Sequence, residues 1–444
     1  MLSGIGLSLS WGIPFAGLLL SLAIWPIVAA EFWHRHYGKV TAVWAMAFLA
    51  PFAIVYGPGE TLHQTVHVLL LEYFPFVIIL LALYTIAGGI AVRGTLVGTP
   101  GLNTGLLAVG AMLASAMGTT GAAMLLIRPL LRANESRKRR VHVVVFFIIL
   151  VGNVGGALTP LGDPPLFIGF LKGVDFFWTT RALALPTFAL AGALLAIFYA
   201  LDRYFWRIER AAPPAGAYEP IAIDGAVNFP LIAGVLGAVL LSGIWKPQIT
   251  FEVAGTPLEL QNVVRDVALL ALTGLSLVLT PRELRERDAF SWAPIAEVAK
   301  LFAGIFLTVI PVIAMLQAGR SGALASIVAL VTDSATGEPR YVMYLWITGI
   351  LSAFLDNAPT YLVFFNLAGG DPVALMGPLS TTLKAISAGA VYFGALTYVG
   401  NAPNFMIKAI AEDRGVAMPG FFGYLAYSAV IVLPLLAILA WIAL

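Results

Sequence analysis

Gly152-Asn153-Val154-Gly155-Gly156-Ala157-Leu158-Thr159-Pro160-Leu161-Gly162-Asp163-Pro164-Pro165 interrupts an apolar run over residues 141–171, and no continuous helix accommodates that density of glycine and proline. A second interruption, Gly394-Ala395-Leu396-Thr397-Tyr398-Val399-Gly400-Asn401-Ala402-Pro403-Asn404-Phe405, sits in the apolar run 380–410. The two are in register at an offset of 238 residues. Gly156 to Thr159 fall on Gly394 to Thr397, Gly162 on Gly400, Pro165 on Pro403 and Phe167 on Phe405, so seven of the twelve positions 156–167 are identical. Asp163 falls on Asn401, a nearly isosteric pair. The same shift brings Gly118 onto Asp356 and Thr119 onto Asn357, the centres of two further polar breaks. One offset relating four breaks reads as an internal repeat with copies at 1–210 and 211–444.

The rest of the chain says what kind of protein is repeated. Of 444 residues, 60% are hydrophobic and 11% charged, where a soluble protein carries roughly 25% charge. Apolar segments fall at 8–30, 40–56, 66–92, 102–132, 141–171, 182–202, 226–244, 264–280, 297–316, 341–368, 380–410 and 420–443. Unbroken runs of this length are membrane helices; a β-barrel would show short alternating segments. Residues 1–30 lack a positively charged start and are long enough to span, so they read as a retained helix and not a cleaved signal. The absence of cysteine excludes disulfides, thiolate metal sites and cysteine nucleophiles, and a net charge of +2 does not suggest a nucleic-acid partner.

Segments 102–132 and 341–368 carry their breaks at the centre, so each is either one span or a re-entrant hairpin. Lys and Arg concentrate on the cytoplasmic side of membrane proteins, and the side a loop occupies changes with every span counted. If both segments are hairpins, sixteen basic residues share one side, among them Arg35, Arg93, the Arg137-Lys138-Arg139-Arg140 cluster, Arg210, Arg285 and Arg414. Seven, including Lys172, Arg265 and Arg340, fall on the other, with Arg128 and Lys300 within or at the ends of segments. Letting 102–132 cross would separate the Arg137–Arg140 cluster from Arg93 and erase the asymmetry. The expected fold is therefore an all-α integral membrane protein of two inverted repeats, each with five spans, a re-entrant hairpin and a broken helix. That makes about ten spans plus two hairpins, with both termini on the outer side of a bacterial-type inner (plasma) membrane.

A helix broken at membrane depth frees backbone groups that hydrocarbon cannot satisfy, so facing breaks make an ion site near the midplane. Asp163 and Asp356 are the carboxylates at these centres, and an ionised one costs several kcal/mol there unless it is paired or coordinated. Sodium or a proton removes the cost, and a group that holds either but not both exchanges one for the other. Asn153, Thr159, Asn357, Thr360, Thr397, Asn401 and Asn404, with Thr119 and Thr120 at the first tip, supply neutral oxygens suited to a hard cation. An alternative role for each Asp is to cap a half-helix. Arg128 could neutralise a carboxylate or an anionic substrate, or snorkel to the membrane surface. His63 and His67, spaced i, i+4 beside Glu60 and Glu72, are a weaker zinc candidate. No His-Glu-x-x-His, Gly-x-Ser-x-Gly or Walker sequence supports an enzyme or an ATP-driven pump, and no cofactor is expected.

The run 152–165, with Leu351-Ser352-Ala353-Phe354-Leu355-Asp356-Asn357 and Gly400-Asn401-Ala402-Pro403-Asn404, resembles the ion transporter superfamily. That group includes NhaD-type sodium/proton antiporters, arsenite permeases, citrate transporters and divalent-anion/sodium symporters. The resemblance implies a homodimer with a scaffold and a moving transport domain, in which hairpin tips and unwound helices bind Na⁺ and substrate. It implies as site residues Thr119, Thr120, Asp356, Asn357 and Thr360 at the tips. In the unwound loops it implies Asn153, Gly156, Thr159, Gly162, Asp163, Thr397, Gly400, Asn401 and Asn404. The symporters carry Ser-Asn-Thr tips, whereas this chain has Gly118-Thr119-Thr120 and Asp356-Asn357-Ala358, which moves it toward the antiporter and arsenite groups. The expected function is a Na⁺/H⁺ antiporter with Na⁺ held by Asp163 and Asp356. The alternative is a Na⁺- or H⁺-coupled transporter of a small organic anion such as citrate.

Overall fold

A bilayer leaves backbone N–H and C=O groups no partner but each other, and the apolar segments fold accordingly as helices. The computed structural model describes residues 2–209, 219–287, 290–333 and 335–443. The first group of helices is α1 (Ile13–Val28), α2 (Ala30–Tyr56), α3 (Pro58–Val68), α4 (Phe74–Ala87), α5 (Pro100–Met117), α6 (Thr119–Ala133), α7 (Val141–Leu150), α8 (Pro164–Leu171) and α9 (Phe176–Glu209). After it come α10 (Asn228–Ile244), α11 (Leu260–Leu279), α12 (Arg282–Arg287), α13 (Ala293–Thr308), α14 (Ile310–Gln317) and α15 (Ala325–Val331). The last are α16 (Tyr341–Leu355), α17 (Asn357–Leu367), α18 (Pro372–Met376), α19 (Ser380–Phe393), α20 (Ala402–Asp413) and α21 (Phe421–Ala443). The repeat boundary expected at 210/211, and Arg210 with it, lies outside the described residues.

Among the described residues, eight helices are long and apolar enough to cross a membrane, or nine when α13 and α14, bent by 44° at their junction, count as one. The protein is an all-α integral membrane protein. Two details depart from the segment list. The second span begins at Ala30, ten residues early, so Arg35 and Lys39 lie on a helix and not in a loop. Two small antiparallel ribbons, β1 (Ala91–Arg93) with β2 (Ala222–Asp224) and β3 (Thr250–Val253) with β4 (Thr256–Glu259), occupy connections in which no strand was expected.

Both centrally broken segments double back. Asn103 near the start of α5 and Asn134 just past α6 exchange side-chain hydrogen bonds of 2.9 and 2.8 Å. Tyr344 and Phe364 bring the outer ends of α16 and α17 into ring contact at 6.3 Å. Loops that the charge count puts on one side also meet. Arg93 pairs with Asp224, Arg140 Nη2 donates to the carbonyl of Arg414, and Arg285 Nη1 donates to that of Thr85. On the other side Lys172 pairs with Glu72 at 2.5 Å.

The interrupted helices lie inside the protein, where their freed backbone groups find partners. Of the window Val141–Leu158, 89% is buried, against 17% for the most hydropathic window of Ala30–Tyr56. At the break the chain crosses itself so closely that Gly156 and Gly162 touch backbone to backbone, and Gly394 and Gly400 do the same. A Cβ on Gly162 would enter the Gly156 carbonyl, and backbone cannot swing aside. Gly162→Ala is expected to destabilise the protein by about 1–3 kcal/mol, read as a lowered melting temperature of the detergent-solubilised protein. An unchanged melting temperature would show that the crossing can open.

Candidate functional site

Local geometry at the breaks repeats at the same 238-residue spacing. Gly118 ends α5 with φ 81°, ψ 149°, and Asp356 ends α16 with φ 79°, ψ 140°. Asp163 and Asn401, which start α8 and α20, have φ, ψ of −144°, 140° and −153°, 138°. Thr159 Oγ1 donates to the Ser115 carbonyl at 2.5 Å, and Thr397 Oγ1 donates to that of Ala353. Glycine takes the left-handed, extended conformation freely; an L-residue held there costs of order 1–3 kcal/mol. Position 356 accepts that strain to keep a carboxylate where its counterpart is Gly118. Asp356 also caps its helix, Oδ1 accepting from the Ala358 amide at 3.1 Å. Asp356→Gly is therefore expected to leave thermal stability equal or raised, since glycine at a cap loses only a few tenths of a kcal/mol. A marked fall in melting temperature would assign Asp356 a structural role.

Asp163 behaves differently. It makes no capping bond; its carboxylate is buried and held by neutral side chains from three other breaks. Oδ2 accepts from Asn357 Nδ2 at 2.7 Å, and Oδ1 from Asn401 Nδ2 at 3.0 Å and Thr119 Oγ1 at 3.4 Å. Asn401 Nδ2 also reaches the Gly152 carbonyl at 3.0 Å and Asn153 Oδ1 at 3.3 Å. Asn153 donates to Asn404 Oδ1 at 2.8 Å, and Asn404 Nδ2 donates to the Gly394 and Thr397 carbonyls, each at 2.8 Å. Among the described residues of this cluster, Asn357 Oδ1, beside Asp163, is a buried acceptor with no hydrogen-bond partner. Buried oxygens are nearly always paired, so this one marks a position where a donor or a cation would be favourable.

A cavity of about 510 Å³ opens onto this cluster. Of the residues expected at the site, Thr119, Thr120, Gly162, Asp163 and Asp356 line it. Asn153, Asn357, Asn401 and Asn404 stand behind them as a hydrogen-bonded layer, with Gly156 and Gly400 at the backbone crossings. Thr159 and Thr397 tie the loops to the neighbouring tips, and Thr360 Oγ1 turns back to the Asp356 carbonyl at 2.8 Å. The opposite wall comes from α1, α2, α4 and α13, and brings His34 and Glu297; Asp413, from α20, also lines the cavity. None of these three was among the expected residues, because each is a lone charge at a segment end with no spacing to mark it. No Lys or Arg lines the cavity among the described residues. Arg128 is half-buried outside the lining. His63 and His67 have rings 6.2 Å apart, and among the described residues no group of three His, Cys, Asp or Glu could hold a metal ion.

A family model described as "Putative citrate transport" matches residues 4–444. An uncharacterized transporter of Mycobacterium bovis and one of Mycobacterium tuberculosis are each 25% identical over 351 residues, covering 76% of this chain and 76% of theirs. Twelve apolar segments, four matched breaks and a match over nearly the whole chain agree: the protein is a membrane transporter and belongs to the family described as "Putative citrate transport".

Proposed function

We propose that the protein is a secondary transporter exchanging Na⁺ for H⁺ by alternating access, with Asp163 and Asp356 as the carboxylates the two ions share. The observation that carries the reading is the company Asp163 keeps. Among the described residues its carboxylate, buried at the cavity wall, has amide and hydroxyl donors only, and the cavity lining holds carboxylates but no Lys or Arg. An ionised, uncompensated carboxylate at membrane depth costs about 2.5–3.5 kcal/mol. The empty, charged site therefore resists moving across the bilayer, whereas the protonated or Na⁺-loaded site does not. Coupling follows from that penalty alone: the carrier crosses with one ion or the other and returns with its competitor. In this reading 1–210 and 211–444 are inverted halves, and each gives one carboxylate from a different element, a broken helix in the first and a hairpin tip in the second.

A second reading is coupled transport of a small organic anion. The family description favours it, as does a cavity within the roughly 300–1,000 Å³ range of small-molecule sites and larger than one Na⁺ requires. Proteoliposomes separate the two. With an imposed pH gradient and no organic anion present, added Na⁺ or Li⁺ should dissipate the gradient, and Asp356→Asn should abolish the response. No response to either cation, with uptake of labelled citrate, would replace the first reading by the second.

A further inference from the structure

We propose that Glu297 is a third cation-handling carboxylate, the one that takes up the ion at the cavity mouth before it reaches Asp163 and Asp356; this rests on the cation reading above. Glu297 lies in the first turns of α13, on the wall facing the broken helices. Its neighbours along that wall, Ile295, Val298, Leu301 and Phe302, are apolar. It is half-buried, and no hydrogen bond or ion pair engages it among the described residues; the His34 imidazole on α2 lines the same cavity. Lys300, one turn along the helix, is turned instead over the Tyr37 ring, 5.4 Å away.

An ionised carboxylate without a protein donor beside apolar side chains is favoured when a proton or a cation joins it. The path supplies the cation. A cation moving from the mouth to Asp163 sheds water beside apolar side chains, and an intermediate carboxylate lowers that barrier provided its hold is loose enough to release the ion onward. Glu297 has the exposure for such a hold, whereas Asp163 is enclosed by three donors. His34 and Asp413 are exposed members of the lining, so the cavity reaches the surface beside them, and in this proposal Glu297 serves ions arriving from or leaving to that side only.

That sidedness is the test. Everted membrane vesicles present the Arg-rich side of the protein to the bath, and right-side-out vesicles present the other. Glu297→Gln is expected to raise the KM for Na⁺ about tenfold when Na⁺ is added to everted vesicles, the loss of one charge contact. In right-side-out vesicles the KM should stay at the wild-type value, and Glu297→Asp should recover most of the loss. Glu297→Ala replaces the Gln variant if the latter does not accumulate in the membrane. An unchanged KM in everted vesicles, or an equal rise from both sides, would overturn the role of Glu297 while leaving the central site intact. Absence of Na⁺-driven proton movement in the wild type would overturn the cation reading itself, and the role of Glu297 with it.

Discussion

Asp163→Asn is expected to abolish Na⁺-driven proton movement, to below about one hundredth of the wild-type rate, while leaving the fold standing. The two parts of that result have separate causes. The amide is nearly isosteric and keeps one oxygen to accept from Asn401 or Asn357. Its new N–H₂ would face a second donor, but Asn357 carries an unpartnered buried Oδ1 that can turn to accept it. The hydrogen-bond network then closes with neutral groups throughout, and the melting temperature should change by no more than a few degrees. Transport fails because an amide neither binds a proton near neutral pH nor offers charge to Na⁺, and the penalty of about 2.5–3.5 kcal/mol that enforces coupling is gone. Retention of more than a tenth of the exchange rate would remove Asp163 from the mechanism.

Arg137→Ala should produce the largest loss of stability, about 3–5 kcal/mol, the range for breaking a buried ion pair from one side. Arg137 and Asp202 are both fully enclosed, with Nη2 to Oδ1 at 2.5 Å. His142 Nε2 lies 2.7 Å from Asp202 Oδ1, and Asn103 Nδ2 donates to Oδ2 at 2.9 Å. Arg137 Nη1 also donates to the Gly98 carbonyl and to Asn134 Oδ1, each at 3.2 Å. The cluster fastens the open ends of the first hairpin to α7 and α9. Truncating Arg137 removes the guanidinium from Asp202 and leaves it with Asn103 and His142 as its side-chain partners. Glu209 Oε2 also lies 3.6 Å from Arg137 Nε, so the triple variant Arg137→Met/Asp202→Asn/Glu209→Gln, which removes every charge of the cluster's acid–arginine set, should cost clearly less than the single truncation. Thermal unfolding in detergent measures both; a loss under about 1 kcal/mol for Arg137→Ala would mean that water reaches the pair.

Arg137 also shows where sequence reasoning stops. As one of four consecutive basic residues it counted as a loop charge that fixes sidedness, and its contacts do lie with the other basic loops. Its burial depends on Asp202, 65 positions away, and nothing local announces that pairing. The breaks were legible because Gly, Pro and amide residues recur at a fixed offset, and helix interruption is written into those residue types. Asn357 and Asn401 were legible as polar residues at the breaks, but as oxygens for a cation; that their amide N–H groups converge on Asp163 was not. Asp356 was found as a carboxylate, but its strained backbone was not, since a positive φ at a non-glycine residue has no sequence signature beyond its alignment with Gly118. Glu297 and His34 were missed because they belong to a wall assembled from helices with ordinary spacing.

The central claim is that Na⁺ and H⁺ compete for one pair of carboxylates, and the most direct measurement is proton release on Na⁺ binding. Purified protein in lightly buffered detergent solution should release protons when NaCl is added and none when choline chloride is added. The Na⁺ concentration giving half the release should rise as the pH falls, and Asp163→Asn should suppress the release. Absence of release on Na⁺ addition, or equal release from Asp163→Asn and wild type, would contradict the account.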